Sequence, residues 1–138
     1  MAGTIRLEIV TPEKQIVNED AQIVMSPGTM GEFGVLINHT PFMTSLKVGT
    51  IKYRDADGKE RAVFVSGGFA EALPDKVTIL AETAERRSDI DLERARAALE
   101  RAQKRLADER AKDELDYTRL RAALERALQR IRLAESRR

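Results

Sequence analysis

The chain has 138 residues, 42% of them hydrophobic and only 4% aromatic, with no cysteine and a single histidine. That length suits one ordinary domain or a small domain with an appendage, built on an aliphatic core; disulfides, thiolate metal sites and the usual zinc ligand sets are excluded. The formal net charge is +1, with 8 basic and 11 acidic side chains in residues 1–84 and 16 and 12 in residues 85–138, a split too modest for a dedicated nucleic-acid binder. No apolar run reaches the ~18 residues of a membrane span. The opening "MAGTIRLEIV" lacks a signal-peptide pattern. The expectation is a protein of the reducing cytoplasm that can still sit against a membrane complex.

The first half predicts strands. Ile5, Leu7 and Ile9 alternate with Arg6 and Glu8, the period of a half-buried strand. "AQIVMS" (21–26) predicts a second. "GTMGEFGV" (28–35) lacks the lysine and serine of a phosphate-cradling loop and is expected to lie in the sheet. In "GVLINHTPF" (34–42), His39 sits in a polar loop, either as an ordinary loop histidine or as an interface contact. "VGTIKYRD" and "RAVFVSG" flank "ADGK", a hairpin turn in which Gly58 is expected to take positive φ. "FAEAL" and "VTILA" flank "PDK", another tight connection. Short strands at this spacing predict an antiparallel sandwich or barrel. "VSGGF" lacks the serine between glycines that a nucleophile elbow needs. No Ser66–His39–carboxylate set is evident, and no catalytic site is expected in this chain.

All eight glycines lie between Gly3 and Gly68, and the last proline is Pro74. A seam near residues 83–88 therefore divides the chain into residues 1–84 and 85–138. Beyond it Ser88 precedes Asp91 by three, a capping-box spacing in which a Ser cap is worth about 1 kcal/mol. Leu92, Ala95, Leu99, Ala102 and Leu106 form one helical stripe; Tyr117, Leu120, Leu124, Ala127 and Ile131 form another. Asp113, three residues before Asp116, fits the cap of a second helix. The pattern predicts a helical hairpin, with one long helix still open because the link holds no Gly or Pro. Alanine-rich stripes bury little area, so the pair depends on packing and is expected to open at low cost. Arg94, Arg101 and Arg105 are spaced by 7 and 4, and Arg119, Arg126 and Arg130 repeat that spacing. Such rows are either solvated helix surface or, on a closed hairpin, a converging anion site, for which the arginine fork is suited.

With these segments in view, the chain resembles the epsilon subunit of bacterial F-type ATP synthases along essentially its whole length. The resemblance is carried by "GTMGEFGVLINHTPF", by "VSGGFAEALPDKVTILAETAERRSDIDLERA" and by the weak helical hairpin. Ile37 stands where the family usually has proline. The resemblance implies an antiparallel β-sandwich of about ten strands (1–84) followed by an antiparallel two-helix hairpin (85–138). It implies a non-catalytic central-stalk subunit on the cytoplasmic side of the membrane, held to the gamma subunit and the ring of c subunits, with Glu32 and His39 at the ring contact. In such subunits the hairpin can leave the sandwich, extend to the alpha and beta subunits and inhibit ATP hydrolysis. Some members bind regulatory ATP on the compact form through a motif of Ile or Leu, Asp, two variable residues, Arg and Ala. That motif stands here as Ile90-Asp91-Leu92-Glu93-Arg94-Ala95. The family's accompanying acid matches Glu85, and its further arginines match Arg101, Arg126 and Arg130 if the interhelical turn is two residues longer. The implied contacts are phosphates on Arg94, Arg101, Arg126 and Arg130, with Glu85 and Asp91 orienting the arginines or touching base and ribose. No cofactor is required and magnesium is not needed at this site. A compact hairpin is expected, because the stripe of Leu92, Leu99, Leu106 and Leu120 has no other cover. Two other classes stay open on residues alone: a free-standing binding module, and a nucleic-acid protein whose mark would be steeply salt-dependent binding.

Overall fold

The computed structural model describes residues 3–108 and 113–136. In chain order they form β1 (Ile5–Val10), β2 (Gln15–Gly28), β3 (Gly31–Val35), β4 (Phe42–Leu46), β5 (Gly49–Asp55), β6 (Glu60–Val65), β7 (Gly68–Ala72), β8 (Lys76–Ala81) and β9 (Ala84–Arg86). A 3₁₀ turn (Arg87–Asp89) leads into α1 (Leu92–Ala107) and α2 (Glu114–Glu135). The described strands number nine where about ten were expected. The 14-residue β2 serves both layers: its first half pairs with β1, its second with β3 and β5. The neighbour order is β1-β8-β7-β4-β2-β5-β6-β9, and the direct β1–β2 pairing brings the path back on itself. Every pairing is antiparallel except β1 with β8, two strands far enough apart in sequence for a parallel crossover.

The alternation read in β1 is the core pattern: Ile5, Leu7 and Ile9 are fully buried. They meet Val17, Val24, Ile51, Val63, Val65, Val77 and Ile79, an aliphatic interior with one buried ring, Tyr53. Each such aliphatic side chain contributes ~1.5–3 kcal/mol on burial. The register of β2 against β5 shifts between Ala21 and Ile23. Buried positions accordingly pass from odd (Val17, Ala21) to even (Val24, Ser26), as expected when a bulge inserts one residue.

The β5–β6 hairpin turns through Gly58 at φ 83, as its sequence predicted. Asp55 organises the turn. Its Oδ1 accepts from the amides of Asp57 (3.0 Å) and Lys59 (2.9 Å), and its Oδ2 from Arg61 Nε (3.1 Å). The Lys59 amide, with help from Arg61, holds the Asp55 carboxyl below the usual carboxylate range. A depressed folded pKa gives stability that is fully present above the unfolded value, about 3.9, and is lost as pH falls through the folded one. Asp55→Asn is therefore expected to melt below wild type at pH 7, with the gap closing once the pH drops below about 4. Thermal melts across that range check it, and a constant gap would contradict it.

Asp91 caps α1, its carboxylate accepting from the Arg94 amide at 3.1 Å. Ser88 instead lies exposed in the 3₁₀ turn, because Ile90 between them is extended and delays the helix. Asp113 caps α2 by accepting from the Asp116 amide at 2.7 Å. The helices are separate and packed as a compact pair, with Ala95 and Ala102 of α1 and Leu120 and Ala127 of α2 buried in the seam. Tyr117 departs from its predicted stripe and is 54% exposed. Arg96 pairs with Glu135, and that antiparallel register sets Tyr117 beyond the last described turn of α1.

Candidate anion site on the helical hairpin

The sandwich meets the hairpin along β6, β9 and α2. Val63 and Val65 face the core, so Phe64 between them faces outward, yet it is fully buried. Its cover is Arg130 of α2, whose guanidinium carbon stands 4.5 Å from the ring centroid. Glu85 of β9 lies opposite Phe64 in the β6–β9 register. Its Oε2 accepts from Arg130 Nε (3.0 Å) and Nη2 (2.8 Å). Glu85 and Phe64 thus present one anion and one ring to the same guanidinium, an ion pair combined with a cation–π contact. Nearby, Arg87 Nε donates to the Leu133 carbonyl (3.2 Å), and Arg86 Nη2 donates to the Ile16 carbonyl (3.1 Å) while pairing with Glu19. The Arg87 bond joins the 3₁₀ turn to α2, whereas the Arg86 contacts join β9 to β2 within the sandwich.

The remaining arginines follow from helix geometry. Arg96 and Glu135 join α1 to α2 at 2.6 Å along one edge of the hairpin. Side chains advance by ~100° per residue. Measured from the buried Ala95 and Ala102, Arg96 lies to one side of the seam and Arg94 and Arg101 lie to the other. Measured from Leu120 and Ala127 on α2, Glu135 lies on the Arg96 side, and Arg126 and Arg130 lie opposite. The edge away from the Arg96–Glu135 pair therefore carries all four arginines of the predicted set. The same pairing brings Arg101 level with Arg130 to within about a turn. Among the described residues, the guanidinium groups of Arg94, Arg101 and Arg126 have no hydrogen-bond or ion-pair partner. Arg126 is half-buried, and Arg94 and Arg101 are exposed.

The predicted set is thus brought together unequally. Glu85 and Arg130 are in contact, while Arg94, Arg101 and Arg126 share their edge with no hydrogen-bond or ion-pair partner among the described residues. Asp91 is exposed, and its carboxylate is engaged in capping α1. Phe64, Arg86 and Arg87 were not singled out from sequence. The apolar run "VFV" was the available signal for Phe64, because an alternating strand with all three positions buried must be covered on both faces. No cluster of three or more His, Cys, Asp or Glu among the described residues is placed to hold a metal ion.

Glu32 and His39 lie at a second place. Glu32 is exposed at the start of β3, beside the Thr29–Met30 turn, where Met30 is 93% exposed. His39 is half-buried, and its Nδ1 faces the Thr40 carbonyl oxygen at 2.6 Å. The His39 ring stands 6.3 Å from that of Phe42, which meets Phe33 edge-to-face at 5.0 Å; Glu32 precedes Phe33 in β3, and no hydrogen bond or ion pair joins it to His39 among the described residues. On the outer face of β7 and β8, Phe69 (57% exposed) stands opposite Leu80 (55%).

Two family models cover the chain: "ATP synthase, Delta/Epsilon chain, beta-sandwich domain" over residues 4–87 and "ATP synthase, Delta/Epsilon chain, long alpha-helix domain" over residues 88–135. The ATP synthase epsilon chain of Desulfosudis oleivorans is 64% identical over 106 residues, 77% of this chain and 80% of that one. The epsilon chain of Syntrophobacter fumaroxidans is 53% identical over 136 residues, 99% of both chains. Among solved structures, a chain of the Euglena gracilis mitochondrial ATP synthase (OSCP/F1/c-ring) superposes with a TM-score of 0.78 at 27% identity, over 91% of this chain and 78% of that one. A chain of the Tetrahymena thermophila central stalk/c-ring assembly shares the fold, with a TM-score of 0.62 at 11% identity over 96% and 98%. With its sandwich and its helical pair each matched, and an epsilon chain 53% identical over 99% of both chains, the chain belongs to the ATP synthase delta/epsilon family, as an epsilon chain.

Proposed function

We propose that this chain works as a non-catalytic epsilon subunit of the central stalk, at the membrane face of an ATP synthase, and that its compact hairpin binds regulatory ATP. The stalk role follows from family membership. The Glu32–His39 flank, with exposed Met30 beside it, is the surface for the ring of c subunits. The Phe69–Leu80 face suits the gamma subunit, because a rotor partner can cover its apolar area. Alpha and beta subunits are met when the hairpin extends.

The observation that carries ATP binding is the arginine edge. Arg94, Arg101 and Arg126 lie on one side of the hairpin with Arg130, and three of the four guanidinium groups are unpartnered among the described residues. A triphosphate there would neutralise a row of like charges and bridge α1 to α2. Glu85 holds Arg130 in place, and Asp91 sets the first turn of α1 so that Arg94 projects from a fixed helix. A ligand that binds only the compact form stabilises it by mass action, by about 2.7 kcal/mol at a hundredfold excess over Kd. Bound ATP would thereby oppose extension and the inhibition of ATP hydrolysis that goes with it. The phosphates are met by arginine alone, so magnesium is dispensable. Calorimetric titration of ATP into the isolated chain, with and without magnesium, is expected to give saturable heat in both. Arg94→Ala should weaken it about tenfold, the value of one lost charge-assisted contact. No binding at millimolar ATP would return the arginines to docking roles and leave the stalk assignment intact.

A further inference from the structure

A cleft of about 730 Å³ separates the outer face of β2, β5 and β6 from the last turns of α2. It is distinct from the arginine edge described above, since none of Arg94, Arg101, Arg126 and Arg130 lines it. Its walls carry six cations, Lys47, Lys52, Arg54, Arg61, Arg87 and Arg132, against two carboxylates, Glu32 and Glu60. That excess of positive charge stands out in a chain whose net charge is +1.

The pairing within the cleft leaves this charge largely unspent. Arg61 is committed to Asp55 at 3.1 Å. Arg54 reaches Glu60 only at 3.8 Å, with both side chains well exposed, a contact of little worth. Arg87 uses its Nε on the Leu133 carbonyl and keeps its terminal nitrogens. Lys47, Lys52 and Arg132 have no side-chain partner among the described residues. The floor is different in kind: Ile23, Met25, Ala62 and Leu133 give it an apolar surface. A volume inside the ~300–1,000 Å³ of small-molecule sites, an apolar floor and a cationic rim fit a compact anion with a less polar body.

We propose that this cleft is a second anion site, one that takes a free polyphosphate compound of nucleotide size. The phosphate chain lies between Lys52 on the sandwich and Arg132 on the hairpin, with Arg87 at the junction. Both lysine and arginine are suited to phosphate, the first as a point charge and the second through its fork. One wall of the cleft belongs to the sandwich and the other to α2, so the site exists only while the hairpin is docked. Occupancy therefore favours the compact form by the same linkage as the arginine edge, through different residues.

The test uses the full chain and inorganic tripolyphosphate as probe, by calorimetry at about 150 mM salt, where exposed charges separated by more than ~8 Å are screened. An Arg94→Ala/Arg126→Ala variant removes the other site and serves as background. Saturable binding is expected to persist in that background and to weaken at least fivefold when Lys52→Ala and Arg132→Ala are added. Both residues are exposed, and an unchanged far-ultraviolet dichroism spectrum confirms folding. Loss of all binding in the background variant, or a weakening of less than fivefold on removing Lys52 and Arg132, overturns the second site. Loss of ATP heat in Arg94→Ala alone bears on the arginine edge and leaves this site standing, so the two readings fail separately.

Discussion

Gly68→Ala is expected to destabilise the sandwich by about 4 kcal/mol or more, the range reserved for severe backbone lesions. Gly68 opens β7 with φ at +134°, a conformation that side chains other than glycine rarely adopt. Space is the second obstacle. A Cβ there would collide with the Leu80 carbonyl oxygen and lie 2.9 Å from Ala81 Cα and 3.0 Å from the Leu80 carbonyl carbon. All three are backbone atoms of β8, so no rotamer change relieves them. Relief would require prising β7 from β8 where Gly68 faces Ala81 and Leu46. Gly31 provides the control: its φ is +129°, yet nothing lies within 4 Å of the Cβ position. Gly31→Ala should cost only the backbone strain, about 1–2 kcal/mol. Urea unfolding of the two variants separates the effects. Equal midpoints for both would show that the close approach to β8 does not matter.

The second large effect concerns Phe64. Truncating a buried phenylalanine costs ~3–5 kcal/mol, but here the loss falls on docking. Phe64 is directed away from the core shared by Val63 and Val65, and α2 covers it. Phe64→Ala is expected to weaken the sandwich–hairpin contact by about 3 kcal/mol, roughly a hundredfold in the ratio of docked to undocked forms. The unfolding midpoint of the sandwich should change little. Limited trypsin digestion checks this, because the hairpin is rich in arginine and is protected only while docked. Faster cleavage within residues 94–132 with an intact sandwich is the expected result. A sandwich that unfolds while cleavage within the hairpin stays slow would contradict it.

These two positions show where local sequence signals stop. The alternation of Ile5, Leu7 and Ile9 identified β1, and "ADGK" identified the β5–β6 turn, because both signals are local. β2 was legible only in part: its bulge near Ala21–Ile23 exchanges the buried parity, so a single alternating pattern does not run through all 14 residues. β4 escaped because Phe42 and Met43 are both exposed while Thr44 and Ser45 are half-buried, which leaves no clean period. Spacing made Ser88 the cap and Asp91 its partner three residues on, but the extended backbone at Ile90 delays the helix and makes Asp91 the cap. The contact of Glu85 with Arg130 spans 45 residues, beyond any periodicity argument. Spacing had placed Arg130 in an arginine row, but Glu85 was picked out through the family resemblance alone. Phe64 was missed because a strand's pattern says that a face is covered, but not by what.

The docked state of the hairpin is held by Phe64, Glu85 and Arg130, and is proposed to be favoured by bound ATP. The most direct measurement is a distance between the two parts in solution. The chain has no native cysteine, so single cysteines at Thr78 on the sandwich and Arg121 on the hairpin can carry spin labels cleanly. Pulsed electron paramagnetic resonance should give one narrow distance for the otherwise native chain. Phe64→Ala should broaden it toward longer values, and saturating ATP should restore the narrow one. A distribution that neither Phe64→Ala nor ATP alters would contradict the ligand-favoured docked state.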